Sequence, residues 1–115
     1  HYRVSRLAAE DCGAAMAKTF DIEVWIPSMN DYKEVSSISN AHEYQARRGN
    51  IRLKRTETKK NAFIHSLNAS GLATSRIMPA IVEQHQQEDG SVLVPEVLQG
   101  FLGKDRLVSA TPAGK

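Results

Sequence analysis

Apolar and polar side chains alternate along Phe20-Asp21-Ile22-Glu23-Val24-Trp25-Ile26 until Pro27-Ser28 interrupts them, the pattern of a half-buried strand. The turn-forming stretch Met29-Asn30-Asp31 separates this run from a second one, Tyr32 to Ser39. There strict alternation would place Tyr32, Glu34, Ser36 and Ile38 on one face and Lys33, Val35, Ser37 and Ser39 on the other. So short a connection implies antiparallel pairing, because parallel strands need a longer crossover.

Farther along, Ala41 to Arg48 has helical composition and meets a stop at Gly49-Asn50. The polar, basic segment from Arg52 to Lys60 is expected as an exposed connection or an edge hairpin. Asn61 to Leu67 reads as one further strand, ending in the turn-and-cap cluster Asn68-Ala69-Ser70-Gly71. Ala73, Ile77, Ala80 and Ile81 then fall at helical spacing within 72–86, with Ser70 available as N-cap and Pro79 expected to kink the helix or displace its start. After the turn Glu88-Asp89-Gly90, a short strand over Ser91–Val94 is expected, then a weakly ordered tail from Gly103 to Lys115. The order of elements lacks βαβ alternation and a Gly-rich phosphate loop, and it implies an α+β fold on an antiparallel sheet flanked by helices.

Composition narrows the class. The 115 residues fit one domain, and 41% hydrophobic with 24% charged residues is the balance of a chain that folds around a core. A net charge of +2 is too small to indicate a nucleic-acid partner by itself. Cys12 is the lone cysteine, which excludes an internal disulfide and a Cys-x-x-Cys site, and fits a reducing, cytoplasmic setting. His1, His42, His65 and His85 are too dispersed for a recognisable metal site. No apolar run approaches the roughly 18 residues that span a bilayer, and a chain that opens on His in place of Met is expected to be an excised or processed segment.

Three groups carry candidate chemistry. Glu34, Ser36 and Ser37 interrupt a strand with oxygen ligands, which suit either a strand with one wet face or a hard cation such as magnesium. Arg76 falls near a helix start, where it is either a surface residue or a fork for phosphate oxygens. Gln45, Arg47, Arg48, Arg52, Lys54 and Arg55 make the densest basic run, a surface able to attract phosphate but without interleaved aromatic residues for base stacking. No spacing supports a Ser-His-Asp or Cys-His arrangement.

The strings Phe-Asp-Ile-Glu-Val-Trp-Ile-Pro (20–27), Lys-Glu-Val-Ser-Ser-Ile-Ser-Asn (33–40), Gln-Ala-Arg-Arg (45–48) and Ser-Leu-Asn-Ala-Ser-Gly-Leu-Ala-Thr-Ser-Arg (66–76) resemble the seryl-tRNA synthetases, in order and over residues 20 to 103. The resemblance implies a class II catalytic fold, with residues 1–103 its C-terminal portion and 104–115 a tail. It implies an enzyme that joins serine to its tRNA through a seryl-adenylate, with serine, ATP and tRNA as partners, Mg2+ accompanying ATP, and a homodimeric full-length protein. By residue, it places Glu34 and Ser37 on the ATP-bound magnesium, Val35 and Ser36 in an ATP-contacting tetrapeptide, Ser70 and Asn68 at the serine substrate, and Arg76 on the γ-phosphate as the motif 3 arginine. Glu34 and Arg76 would be the catalytic pair. The segment Glu10-Asp11-Cys12-Gly13-Ala14 matches the family loosely, and Pro79 is unusual in its motif 3 helix. Motifs 1 and 2 and the tRNA-binding arm fall upstream of His1, so the isolated chain is expected to be inactive. A non-catalytic synthetase-like paralogue and an amino acid:carrier protein ligase are the alternative readings.

Overall fold

The computed structural model describes residues 1–109; residues 110–115, the end of the expected tail, lie outside the described residues. In chain order the elements are β1 (Tyr2–Arg6), β2 (Lys18–Ile26), a 3-10 turn (Pro27–Met29), β3 (Asp31–His42), α1 (Tyr44–Gly49), β4 (Arg52–Lys54), β5 (Asn61–Phe63), β6 (Ser66–Ala69), α2 (Thr74–His85), β7 (Val92–Leu93), α3 (Glu96–Leu102) and β8 (Arg106–Leu107). The main sheet is antiparallel, in the order β1-β2-β3-β6. The α+β architecture expected from the sequence is present.

The β2–β3 ladder carries an irregularity that decides where the chemistry lies. Ile22 pairs with Ser36 and Glu23 with Glu34, so Val35 is an extra residue opposite that step. Such a bulge breaks strict alternation and sends neighbouring side chains to the same face. Glu34 and Ser37, facing Glu23 and Asp21, share one face of the sheet. Val35 and Ser36 share the other. The alternation expected from the sequence, which separated Glu34 from Ser37, is thereby corrected.

That other face is the apolar one. Val24, Ile26 and Val35 pack there against Ala80 of α2, with Ile22 and Ile77 at the margin. Val35 is 1% exposed, and burying a valine contributes about 1.5–3 kcal/mol. α2 runs through Pro79 without a break, and its start is not displaced toward the proline. The missing N–H would have met the carbonyl of Ser75, which lies in an exposed first turn where water can satisfy it. Ser70 does not cap this helix. The N-cap position is Ala73, with no side-chain bond, because Ser70 is held on β3 instead.

Several boundaries differ from expectation. Asn61 to Leu67 is not one strand: β5 pairs with β4, whereas β6 pairs with β3. The change of partner falls at Ile64-His65, where the His65 ring stacks on His42 at 5.2 Å between centroids. β1 is not among the expected elements, although Tyr2-Arg3-Val4-Ser5 alternates apolar and polar residues; in the fold Tyr2 and Val4 stay exposed on this edge strand. α3 follows Pro95 and ends at Gly103, whose φ of 63° supplies the left-handed C-cap. The expected weakly ordered tail is corrected at Arg106–Leu107, which forms β8 against β7. Arg106 fixes it by donating to the Ser91 hydroxyl at 2.6 Å and to Asp89 at 3.3 Å. Among the described residues no helix is long and apolar enough to cross a membrane.

Candidate active site

β6 covers only the 38–42 part of β3, so the Glu34–Ser37 part has an open edge. The chain from Ser70 to Arg76 closes it. The Ser70 N–H donates to the Ser37 carbonyl at 3.2 Å and the Ala73 N–H to the Val35 carbonyl at 2.6 Å. In the other direction, the Ser36 hydroxyl donates to the Ser70 carbonyl at 2.6 Å, and the Ser37 N–H to the Ser70 hydroxyl at 3.2 Å. Arg76 completes the seam by donating from Nη1 to the Glu34 carbonyl at 2.7 Å, with that nitrogen 3.7 Å from the Glu34 carboxylate. Two sequence motifs separated by more than thirty positions are thus one structure.

Arg76 occupies the first turn of α2, the end of a helix where the backbone dipole disfavours a cation. The Glu34 carbonyl and carboxylate offset that cost. The guanidinium has five donors, and the Glu34 carbonyl uses one hydrogen bond's worth of them, so a fork remains for an anion. Beside it, on the side of the sheet that α2 covers, a cleft of about 560 Å³ is walled by Ile26, Lys33 and Glu34, by Ser28 and Met29 of the 3-10 turn, and by Ser75, Arg76, Pro79 and Glu83 on α2; Ser37, Asn68 and Ser70 do not line it.

The remaining predicted residues divide by face. Glu34, Ser37 and Asn68, the last opposite Ser39, project from the polar face of the sheet, and Ser70 lies exposed beside Ser37. The Ser70 hydroxyl accepts one hydrogen bond and keeps its own proton to donate. Val35 and Ser36 point the opposite way: Val35 is core, and Ser36 is 2% exposed with its hydroxyl engaged by Ser70. Their side chains act in assembling the site and do not reach the face that Glu34 and Ser37 share.

Sequence reasoning missed the floor of this face. Asp21, cross-strand from Ser37, is 7% exposed, and its Oδ1 has no hydrogen-bond partner among the described residues. Thr19 and Ser39 lie buried next to it, their hydroxyls 2.8 Å apart. Glu23 completes the row. A hydrogen bond from Arg3 holds its carboxyl below the usual glutamate range against the opposing effect of burial, and the Ser5 hydroxyl adds to the lowering from 2.8 Å. The polar alternate positions of 19–25 were the available signal.

Among the described residues no three His, Cys, Asp or Glu groups gather as a metal cluster. One carboxylate and one hydroxyl on a shared face, over an unpaired buried carboxylate oxygen, fit a hard cation that keeps waters and shares substrate phosphates. They do not fit a metal held wholly by protein.

Comparison with known proteins agrees with this layout. The family model "tRNA synthetase class II core domain (G, H, P, S and T)" matches residues 1–85. The chain is 69% identical over 107 residues to serine--tRNA ligase 2 of Clostridium acetobutylicum, covering 93% of this chain and 25% of that protein. It is 56% identical over 106 residues to the serine--tRNA ligase of Carboxydothermus hydrogenoformans, covering 92% and 25%. The seryl-tRNA synthetase of Pyrococcus horikoshii, solved with ATP, superposes with a TM-score of 0.88 at 42% identity, over 96% of this chain and 25% of that one. The cytoplasmic serine-tRNA ligase of Naegleria fowleri, solved with AMP, gives 0.83 at 36% identity, over 96% and 26%. The chain spans about a quarter of the length of the relatives it matches. On the family match and this shared architecture, the chain belongs to the class II tRNA synthetase core domain family.

Proposed function

We propose that this chain supplies part of the ATP and serine site of a serine-tRNA ligase. The observation that carries the proposal is the seam between β3 and residues 70–76, which sets Ser70 beside Ser37 and ties Arg76 to Glu34 at the strand edge, Glu34 and Ser37 sharing the polar face of the sheet. Similarity to proteins named serine--tRNA ligase over more than nine-tenths of the chain supports serine as the amino acid.

In the first half-reaction a serine carboxylate oxygen attacks the α-phosphorus of ATP. The bond to the pyrophosphate oxygen breaks, and its electron pair leaves with pyrophosphate. In the second, the terminal ribose hydroxyl of tRNA attacks the seryl carbonyl carbon, and AMP departs. Neither step needs a protein nucleophile, so the work of these residues is positioning and charge stabilisation. Arg76 binds the γ-phosphate with the donors left free by Glu34. Ser70 and Asn68 hold the serine substrate, Ser70 by donating its remaining proton. Glu34 and Ser37 would hold Mg2+ with ATP, and the ion would supply neutralisation of phosphate charge. Val35 and Ser36 contribute to ATP binding through the backbone geometry they set, since their side chains face the core. The intact protein is cytoplasmic and homodimeric, with tRNA as the third substrate after serine and ATP.

The test is a chimera in which this chain replaces the matching 107 residues of the Clostridium acetobutylicum ligase. ATP–pyrophosphate exchange dependent on serine, and not on threonine or glycine, is expected. A folded chimera without serine-dependent exchange would overturn the proposal.

A further inference from the structure

Among the described residues the basic run is a strongly charged surface that the site does not use. Between Arg47 and Lys60 there are seven cations and one carboxylate, Glu57, whereas the other 101 residues carry eight cations and twelve carboxylates. The near-neutral total conceals this segregation. Residues 47–61 are all exposed, and β4 and β5 pair only with each other, so the hairpin is a two-stranded arm outside the main sheet. Such a hairpin gains little from packing, which leaves its charge to explain its presence.

Most of these cations are not neutralised among the described residues. Arg47 pairs with Glu43 at 2.6 Å, but Arg48, Arg52, Lys54, Arg55, Lys59 and Lys60 make no ion pair among the described residues. Two guanidiniums converge on one ring: Arg47 and Arg52 lie 4.6 and 4.8 Å from the centroid of Phe63, while Arg48 lies 3.6 Å from that of Tyr44. Aromatic residues are therefore present, but they serve as platforms for arginine, which orients the donors. Like charges held this close repel one another until a polyanion enters. Arg52 and Lys54 further share one face of β4, with period-two spacing along it.

Its place relative to the site selects the polyanion. β3 carries both: Ser37 and His42 are five residues apart, or about 17 Å at strand rise, and α1 follows at Tyr44. The Ser66 hydroxyl donates to Gln45 at 2.6 Å, tying α1 to the strand that leads to Asn68 and Ser70. An RNA whose 3′ end lies at Ser70 and whose backbone follows β3 toward His42 would meet this arm. We infer that α1 and the β4–β5 hairpin form a phosphate-binding surface for the duplex adjoining the 3′ end of the tRNA, engaging its backbone without reading its sequence. The inference rests on the serine-tRNA ligase reading, and its test separates the two.

The chimera carrying Arg52→Gln, Lys54→Gln and Lys60→Gln is compared with one carrying Arg6→Gln, Lys18→Gln and Lys104→Gln, three exposed cations elsewhere. Only the hairpin variant is expected to raise the KM for tRNA, by at least about tenfold at physiological salt, and to lower the salt slope of tRNA binding by about two to three. Serine-dependent pyrophosphate exchange should be unchanged in both. Equal effects of the two triple variants, or none, would overturn the inference. Absence of exchange in the parent chimera would instead sink the ligase reading, and binding of a serine-accepting tRNA transcript by the 115-residue chain and its hairpin variant would still decide the surface. A hairpin that bound protein and not RNA would leave that binding unaltered.

Discussion

Replacing Arg76 with alanine should damage catalysis far more than folding. In the folded chain the guanidinium makes one hydrogen bond to the Glu34 carbonyl at 2.7 Å and sits 3.7 Å from a carboxylate, with the two side chains 52% and 43% exposed. The hydrogen bond contributes about 1 kcal/mol, and so exposed an ion pair adds at most about 1 kcal/mol. Removing a cation from the first helical turn returns a few tenths of a kcal/mol, roughly, by relieving the dipole. Unfolding stability should therefore fall by only about 1–2 kcal/mol. A charge-assisted phosphate contact is worth about 1.5–3 kcal/mol, which converts to roughly a 10- to 150-fold loss of serine-dependent pyrophosphate exchange at subsaturating ATP. Arg76→Lys should fall between, keeping the charge and losing the planar fork. Exchange and urea unfolding are measured on the same chimera. Exchange within about threefold of the parent, alongside lost stability, would show Arg76 to be a strut for β3 and not a phosphate ligand.

Other perturbations separate assembly from chemistry. Val35→Ala should cost about 2 kcal/mol in urea unfolding of the chain, because the side chain fills the contact between β3 and α2. Ser36→Ala should cost about 1–2 kcal/mol by leaving the Ser70 carbonyl without its donor, and should raise the serine KM more than it lowers kcat; an unchanged KM would detach Ser70 from the substrate. The lowered pKa of Glu23, caused first by Arg3 and assisted by Ser5, makes a stabilising contribution that is full above the ordinary glutamate value of about 4.3. That contribution is lost as pH falls through the lowered native value, since the unfolded chain takes up the proton more readily. Glu23→Gln should flatten this acid limb in urea titrations; an unaltered limb would assign it to other carboxylates, such as Asp89 beside Ser91.

What could be read in advance depended on the range of the signal. β2 was legible because its alternation is local, and the close of α1 because Asn50 takes the left-handed position after Gly49. The bulge at Val35 was not, because an extra residue is defined only against its partner strand. Nothing in residues 32–39 alone shows that Glu34 and Ser37 share a face. The division of 61–69 between two sheets was hidden for the same reason, as each half reads as strand and only pairing separates them. Residue chemistry singled out Glu34, Ser36, Ser37 and Arg76 and the motif strings supplied their proposed roles, whereas periodicity placed Glu34 and Ser37 apart. Asp21 went unnoticed because a polar residue on the wet alternate of a strand gives no sign that it will be buried without a partner. The aromatic platforms beneath the arginines depended on Phe63, which reaches them from another strand.

Charging of a serine-accepting tRNA tests the central claim most directly. The chimera, supplied with serine, ATP and magnesium, should form seryl-tRNA at a rate within about tenfold of the parent Clostridium ligase, and the isolated 115-residue chain should form none, because positioning fails when part of a catalytic constellation is missing. Charging of another amino acid by the chimera, or a folded chimera that charges nothing, would contradict the assignment of this chain to a serine-tRNA ligase.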